Sequence, residues 1–293
     1  MGEPAEKIEI GVIGGSGLYQ MAAMEILEER RLTTPFGDPS DAFVIGRLAG
    51  KRVAFLARHG RGHRLLPTEL NYRANVYGFK SLGVERLISV SAVGSMKLEY
   101  KPTDIVVPDQ FFDRTRHRVD TFFGNGLVAH VSLADPVALD MIDPAVAACR
   151  AAGATVHRGG TYLCMEGPQF STRAESRIYR QWGVDVIGMT NLQEARLARE
   201  AEISYLTLAM VTDYDCWHEE EKDAHTADIL AVLHQNVETA QKVVAELVGR
   251  LGPRAADDPC ANALAGALVT PQALVPPETL AALAPIISRY YSP

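Results

Sequence analysis

Short apolar runs alternate with helical patterns along most of the chain. β-Rich runs predict strands over residues 8–13, 42–48, 53–57, 86–91, 105–107, 127–131, 161–165, 184–188 and 203–211. Apolar positions at helical spacing predict helices over residues 68–82, 136–152, 173–182, 192–201, 226–251 and 278–288. This alternation predicts an α/β fold in which helices cover both faces of one central sheet.

The longest predicted helix, 226–251, ends at a clear stop signal, Gly252-Pro253. No internal repeat or linker divides the chain, so a single domain over residues 1–293 is predicted. Residues 252–293 are rich in Ala and Pro, and they are predicted to form a C-terminal extension whose order the sequence leaves open. Such a tail can cover a neighbouring subunit or stay loose.

Composition narrows the class of protein. The 293 residues are 47% hydrophobic and 22% charged, with a formal net charge of -7, which favours a globular protein over a nucleic-acid binder that needs a basic face. The N-terminal segment does not resemble a signal peptide, and no apolar stretch reaches membrane-spanning length. The four cysteines show no CxxC spacing, so a reducing cytoplasm is expected.

Two polar clusters follow apolar runs and carry opposite charge. Arg58 and His59 follow the run 53–57, whereas Asp213 and Asp215 follow the run 203–211. A guanidinium fork suits phosphate oxygens, and paired carboxylates accept hydrogen bonds from an amino-bearing base. The hypothesis is therefore a site for phosphate plus an aminopurine, and the alternative for Arg58 and His59 is a solvated loop of ordinary surface charges.

Other strand ends carry weaker signals. The glycine loop around Ser16 and the segment Ser91-Ala92 can offer amides and hydroxyls to an anion, or can simply be turns. Met189-Thr190 is a similar strand-end site, with core filler plus a helix N-cap as the alternative. Phe170 can stack on a flat base, although the same segment predicts a capping box at the start of helix 173–182.

Several motifs of other enzyme classes do not fit. A dinucleotide fingerprint would need glycine where Gln20 stands, and no P-loop occurs. The eight histidines lack HExxH or comparable metal-ligand spacing, so no metal site is predicted. No GxSxG elbow of a serine hydrolase is present.

Six segments in order along the chain resemble those of 5'-methylthioadenosine phosphorylases, which belong to the trimeric purine nucleoside phosphorylase superfamily. They are Gly14-Gly15-Ser16-Gly17, Arg58-His59-Gly60-Arg61-Gly62-His63, Asn71-Tyr72-Arg73-Ala74-Asn75, Glu166-Gly167-Pro168-Gln169-Phe170-Ser171, Met189-Thr190 and Thr212-Asp213-Tyr214-Asp215-Cys216-Trp217. The resemblance covers residues 8–251. It implies a single nucleoside phosphorylase-like α/β domain around a mixed central sheet, a homotrimer, no metal or organic cofactor, and inorganic phosphate as co-substrate.

The resemblance also implies residue roles. Phosphate is expected to be surrounded by Ser16, Arg58, His59, Ser91, Ala92 and Thr190. The nucleoside is expected to contact Met189 under the ribose, Phe170, Ser171, Asp213 and Asp215 around the base, and His130, Thr226, Ile229 and Leu230 at the 5' substituent. A protonated carboxyl group at Asp213 can donate a proton toward N7 of the departing base, so Asp213 is the expected general acid.

Base choice follows from the same positions. A 6-amino group donates to Asp213 and Asp215, whereas a 6-oxo group would leave these acceptors unpaired. The related 6-oxopurine enzymes typically carry Asn at the position of Asp213 and Glu at that of Ser171. The expected reaction is therefore phosphorolysis of 5'-methylthioadenosine to adenine and 5-methylthioribose 1-phosphate, in purine and methionine salvage. Thr226, often Val in the family, adds a hydroxyl and makes adenosine a second expected substrate.

Three alternatives remain from the sequence. One is phosphorolysis of 5'-methylthioinosine or another 6-oxopurine nucleoside. Another is a non-catalytic protein that binds purine or phosphate. The last is a nucleotide-dependent oxidoreductase, for which this sequence lacks the required glycine spacing. One departure from the family, Gln193 where Pro is frequent, is predicted to alter only a helix start.

Overall fold

The computed structural model describes residues 7–15, 18, 21–218 and 226–291, and the side chains of residues 226–231 and 233–236 are outside this description. The described residues form eleven strands and six α-helices. The strands are β1 (Ile10–Gly14), β2 (Glu25–Arg30), β3 (Phe43–Leu48), β4 (Lys51–Ala57), β5 (Arg86–Ser95), β6 (Ile105–Val107), β7 (Gln110–Arg114), β8 (Val156–Arg158), β9 (Thr161–Met165), β10 (Val186–Gly188) and β11 (Ser204–Asp213). The helices are α1 (Tyr72–Ser81), α2 (Leu139–Ala151), α3 (Arg173–Gln181), α4 (Asn191–Glu200), α5 (Thr226–Arg250) and α6 (Pro277–Ile287).

All the strands belong to one mixed sheet that branches at β5. The main path runs β2-β3-β4-β1-β5-β10-β9-β7, while β11 pairs with the other edge of β5 and leads to β6 and β8. Strands β1 and β11 run parallel to β5, whereas β10 runs antiparallel to it. The prediction of a single α/β domain with a mixed central sheet is confirmed.

One edge of β5 changes partner half-way along the strand. Strand β1 pairs with β5 as far as Ser89, and β10 joins the same edge at Gly94 and Ser95. Among the described residues, no strand pairs with residues 90–93 on this edge. The sheet therefore opens beside Ser91 and Ala92, where the carboxyl ends of β1 and β10 meet.

A β-bulge at the end of β11 moves its last residue. The pairing of Val211 with Val93 is followed by the pairing of Asp213 with Gly94, so one residue is inserted. A bulge bends the strand and redirects the following side chain. It brings Asp213 beside Gly94, next to the opening in the sheet.

The helices begin where polar side chains cap them. The Asn71 side chain accepts a hydrogen bond from Ala74 N at 3.1 Å and starts α1. Thr172 and Glu175 form the predicted capping box at the start of α3. Helices α1 and α4 pack together, as do α2 and α5, and their apolar faces join the buried core of the sheet.

Some predicted elements differ from the structure. The predicted strand 127–131 is wrong, because this segment makes only isolated bridges, between Gly124 and Leu127 and between Ala129 and Leu268. Strands β2, β7 and β8 were not predicted. Strand β2 has the sequence EILEER and only exposed or half-buried residues, because it forms an edge of the sheet, where charged side chains are favoured.

The segment after α5 packs against the rest of the fold. It contains short 3-10 turns at Pro259–Asn262 and Gln272–Leu274 before α6. Leu264 and Leu283 are buried in the main core, and Tyr77 Oη donates to the carbonyl of Ala282 at 2.8 Å. These contacts attach the tail to the main core and to α1.

Candidate functional site

The carboxyl ends of three strands meet at the opening beside β5. Arg58 follows β4, and its backbone N–H donates to the carbonyl of Gly14 at the end of β1, at 2.9 Å. Met189 and Thr190 follow β10, which joins β5 just beyond Ser91. Ligand sites of open α/β sheets lie at such strand ends, especially where strand connections diverge. The opening therefore collects Arg58, Ser91, Ala92 and Thr190.

Arg58 is held by a buried ion pair. Its Nε lies 2.5 Å from Glu194 Oε1 and its Nη2 lies 3.1 Å from Glu194 Oε2, with 3% and 1% of the two side chains exposed. Nη1 donates to the carbonyl of Val90 at 2.9 Å, and Nη2 to Ser89 Oγ at 2.6 Å. Burial by itself would lower the pKa of Arg58, but the charge of Glu194 outweighs it and holds that pKa above its usual value.

A buried hydrogen-bond network connects this ion pair to Thr190. The Asn191 side-chain amide lies 2.9 Å from Ser89 Oγ, and its Oδ1 accepts from Tyr162 Oη at 3.0 Å and from Thr190 Oγ1 at 3.2 Å. Burial raises the pKa of Tyr162, and the neighbouring Ser91 hydroxyl partly offsets that rise. Three of the residues expected at phosphate are thus joined to one network, which fixes their relative positions.

His59 is neutral at physiological pH. Its Nδ1 donates to the carbonyl of Leu65 at 2.8 Å, and its ring stacks on His63 with a centroid distance of 4.3 Å. Burial, followed by the charge of Arg58, lowers the pKa of His59 to about 4. Because a carbonyl can only accept, the proton is on Nδ1, and Nε2 is available to accept a hydrogen bond from a P–OH group.

Asp213 is oriented by its own turn. Its Oδ1 accepts from the backbone N–H of Asp215 at 2.7 Å, and its Oδ2 lies 2.7 Å from Thr212 Oγ1. A Cβ atom at Gly94 would lie 3.1 Å from Asp213 Oδ1, so the glycine leaves room for the carboxylate beside β5. Asp213 and the opening at Ser91 and Ala92 are therefore on the same stretch of β5.

Asp215 completes the acidic end of the site. It has a left-handed backbone with φ of 53°, which Asp tolerates better than most residues. Burial raises the pKa of Asp215, and hydrogen bonds from Ser176 and Ser171 partly lower it again. The structure thus brings the expected base residues Asp213, Asp215 and Ser171 together. Phe170, from the same loop as Ser171, is 46% exposed.

Arg118 connects the two ends of the site. Only 2% of its side chain is exposed, and Nη2 donates to the carbonyl of Glu166 at 2.6 Å while Nη1 donates to the carbonyl of Met189. A Cβ atom at Gly167 would lie 2.5 Å from Met189 Sδ, so the loop that contains Gly167 is in close contact with Met189. Arg118 maintains this contact from a distant loop.

The sequence did not indicate Arg118, Glu194 or Asn191. Arg118 belongs to a charged stretch typical of solvent-exposed loops, and Glu194 resembles an ordinary acid in the first turn of a helix, where the dipole favours it. The expectation that Gln193 alters only a helix start is wrong. Gln193 is buried, accepts from Arg118 Nη1 at 2.9 Å, and donates to Thr115 Oγ1 at 2.9 Å.

One expected residue, His130, is not brought to this site, and the side chains of four others lie outside the description. His130 lines a separate cavity of about 710 Å³ together with Asp135, Arg199 and Cys260, and its backbone N–H donates to the carbonyl of Ala267 at 3.0 Å. Ser16 lies outside the described residues. Thr226, Ile229 and Leu230 lie in α5, but their side chains are outside the description.

The described residues hold neither a metal-binding cluster nor a membrane-spanning helix. No group of three or more His, Cys, Asp or Glu side chains in that part of the chain is arranged to hold a metal ion. Within the same residues, no helix is both long enough and apolar enough to cross a membrane.

The sequence matches the family described as the phosphorylase superfamily over residues 9–249. This chain belongs to that superfamily. Two relatives are named S-methyl-5'-thioadenosine phosphorylase. The protein from Koribacter versatilis is 60% identical over 97% of both chains. The protein from Geobacter sulfurreducens is 58% identical over 96% of this chain and 98% of its own.

Solved structures agree with the fold of this phosphorylase. A methylthioadenosine phosphorylase from an antarctic soil metagenomic library is 48% identical, covers 96% of this chain and 99% of its own, and superposes with a TM-score of 0.90. A variant adenosine/methylthioadenosine phosphorylase from Schistosoma mansoni, solved with methylthioadenosine, is 34% identical with a TM-score of 0.78, over 83% of this chain and 91% of its own. The predicted family, and with it an enzyme of the pentosyltransferase class that uses phosphate as a substrate, is confirmed.

Proposed function

We propose that this phosphorylase converts 5'-methylthioadenosine and inorganic phosphate to adenine and 5-methylthioribose 1-phosphate, in cytoplasmic purine and methionine salvage. The observation that carries the proposal is the placement of two opposite chemistries on β5. The Arg58 network lies beside Ser91 and Ala92, and the carboxylate of Asp213 lies beside Gly94. A nucleoside between them has its sugar near an anion site and its base near carboxylates.

Phosphate binds on the face of the ribose opposite the base. Arg58, Thr190 and Ser91, with Ser16 and the backbone at Ala92, surround its oxygens, and His59 Nε2 accepts from its hydroxyl group. As the bond between C1' and N9 breaks, its electron pair goes to the purine and the ribose becomes cationic. The phosphate anion stabilises this cation and then forms the new C1'–O bond, so positioning and charge stabilisation dominate the rate.

Asp213 acts at the leaving base. The hydrogen bond from Asp215 N and the contact with Thr212 orient its carboxyl group, from which a proton passes to N7 as the purine departs. Phe170 packs on the base from the open side of the pocket, and Met189 lies under the ribose. Ser171 and Asp215 complete the polar edge of the base site.

The base is adenine. Asp213 and Asp215 are acceptors that match a 6-amino group, whereas a 6-oxo group would place lone pairs against lone pairs. Ser171, whose hydroxyl interacts with Asp215, leaves space where the 6-oxopurine enzymes carry a glutamate. Adenosine is a second substrate, because the hydroxyl of Thr226 can receive its 5'-hydroxyl group.

Base release from four nucleosides tests this function. Methylthioadenosine, adenosine, methylthioinosine and inosine are each incubated with the enzyme, with and without phosphate, and the free base is quantified. Phosphate-dependent release of adenine from methylthioadenosine, faster than any release of hypoxanthine, is expected. Faster reaction of the inosine compounds would contradict the assignment of Asp213 and Asp215 to a 6-amino base. The absence of turnover with all four compounds would favour the alternative of a non-catalytic binding protein.

We also propose a homotrimer in which a neighbouring copy supplies His130 to the 5' end of the site. Near His130, Val128 and Val269 are 44% and 60% exposed and are joined by a 2.8 Å backbone hydrogen bond. This apolar ridge supports contact with another subunit. Light scattering should give three times the 31.9 kDa chain mass, and a monomer would contradict the arrangement.

A further inference from the structure

Glu194 is an acid for which the proposed reaction has no chemical use. It lies in the first turn of α4, and its side chain is 1% exposed. Its carboxylate accepts from Arg58 Nε at 2.5 Å, Arg58 Nη2 at 3.1 Å, Ser89 Oγ at 2.8 Å and Tyr205 Oη at 2.9 Å. An ionised carboxylate has roughly four acceptor positions, so these donors satisfy it completely.

The same contacts determine how Arg58 is presented. A guanidinium has roughly five N–H donors in a planar fork. The Nε hydrogen goes to Glu194, the Nη2 hydrogens go to Glu194 and Ser89, and one Nη1 hydrogen goes to the carbonyl of Val90. The second Nη1 hydrogen is not used by these partners, and Val90, which accepts the first, directly precedes Ser91 on β5.

We propose that Glu194 is a positioning residue for phosphate: it locks the guanidinium of Arg58 in the one orientation that directs its Nη1 edge to the anion. The inference rests on the proposed phosphate site. It assigns a role to a side chain that touches neither phosphate nor nucleoside. Ser89 supports the same orientation, because it accepts from Arg58 Nη2 and lies within hydrogen-bond distance of Glu194.

Glu194 has two opposite effects on phosphate. Its negative charge reduces the attraction between Arg58 and an anion, whereas its geometry keeps the guanidinium in place before the anion arrives. The geometric effect is larger, because a guanidinium that is 3% exposed cannot obtain hydrogen bonds from water if Glu194 is removed. It would turn toward other acceptors, and phosphate would have to reorder it at the cost of binding energy.

The test is Glu194→Gln, with separate KM values for phosphate and methylthioadenosine and with the shift in Tm that inorganic phosphate produces. The phosphate KM should rise by about tenfold or more, as expected for the loss of charge-assisted hydrogen bonds. The nucleoside KM should change by less than about threefold, and the phosphate-induced shift in Tm should shrink. A role in folding alone would move neither the KM ratio nor this shift.

Glu200→Gln is the matched control. Glu200 lies on the same helix and is also buried, but its carboxylate accepts from the backbone N–H of Phe122 at 2.7 Å and from Thr121 Oγ1 at 2.8 Å. It should leave both KM values unchanged. If Glu194→Gln fails to fold, Ser89→Ala provides the test, because it keeps the charges of both Arg58 and Glu194. This variant should raise the phosphate KM by about threefold and leave the nucleoside KM unchanged.

Three results would overturn the inference. They are a lower phosphate KM in Glu194→Gln, an equal change in both KM values, and an unchanged phosphate KM in Ser89→Ala. The Tm readout separates this inference from the proposed function. If phosphate raises the Tm of the wild type more than that of Glu194→Gln, but the wild type releases no base, the positioning role is supported and the proposed reaction is contradicted.

Discussion

The proposed phosphate end and the proposed base end of the site are built in different ways. Arg58, Ser89, Thr190 and Asn191 are between 0% and 4% exposed and share one closed hydrogen-bond network. At the base end, carboxylates follow a bulge and a turn, and Phe170 is 46% exposed. The anion end is thus prearranged inside the fold, whereas the base end lies at its accessible surface.

The difference fits what each end is proposed to bind. Phosphate is small and strongly hydrated, so it binds well only where donors are already fixed and water is excluded. The purine is large and flat, and it has to enter and leave through an open side. A rigid network would obstruct that passage, which is why the base end is made of loops that a single buried cation, Arg118, connects to the interior.

The largest expected effect is at the base end. Asp213→Asn should lower kcat for methylthioadenosine by roughly 10²–10⁴, the usual contribution of a positioned acid, with the phosphate-induced shift in Tm retained. Adenine release and thermal unfolding measure the two quantities. Asp143→Asn, at a side chain 79% exposed in a surface ion pair, is the control. Unchanged adenine release from Asp213→Asn would remove Asp213 from the acid role.

A smaller effect is expected where the two ends are joined. Arg118→Met keeps most of the aliphatic stem of the side chain but removes the donors to Glu166 and Met189, so it should reduce kcat/KM by about 10- to 100-fold. The nucleoside KM should rise more than the phosphate KM, opposite to Glu194→Gln. Steady-state kinetics with each substrate varied measure this split. A rise confined to the phosphate KM would show that Arg118 serves the anion end instead.

The smallest effect concerns pH and has opposite signs at the two ends. The folded pKa of His59, about 4, lies below its usual 6.5, so the unfolded chain binds more protons between these values and stability is lost as pH falls from 6.5 to 4. The folded pKa of Asp215 is raised above the usual 3.8, so the folded protein binds more protons than the unfolded chain between these two values. The stabilisation that protonated Asp215 gives the fold is therefore complete below pH 3.8 and is lost as pH rises through the folded pKa.

Urea unfolding of the wild type and of His59→Gln between pH 4 and pH 7.5 tests the sign. The variant should lose less stability than the wild type below pH 6.5, by about 2 kcal/mol at pH 5. An identical pH dependence in both proteins would mean that His59 titrates normally in the folded state.

The positions of Arg58 and Asp213 were predictable because each directly follows a buried apolar run. The carboxyl ends of parallel strands lie at one edge of a sheet, so two polar clusters of opposite charge at such ends indicated one site from the sequence alone. Most of the elements of the fold were predictable for the same reason. Edge strand β2 was not predictable, because its charged sequence, EILEER, is typical of a solvent-exposed segment.

The partners of these residues depend on tertiary structure. Glu194 is 136 positions from Arg58, and Arg118 is 71 positions from Met189, and each looks like a solvated charge in its local sequence. The bulge before Asp213 and the change of partner along β5 arise from strand pairing, which local residue preferences do not specify. The sequence by itself therefore determined the chemistry and the strand ends that carry it. Folding decided how that chemistry is oriented, because orientation comes from contacts between residues far apart along the chain.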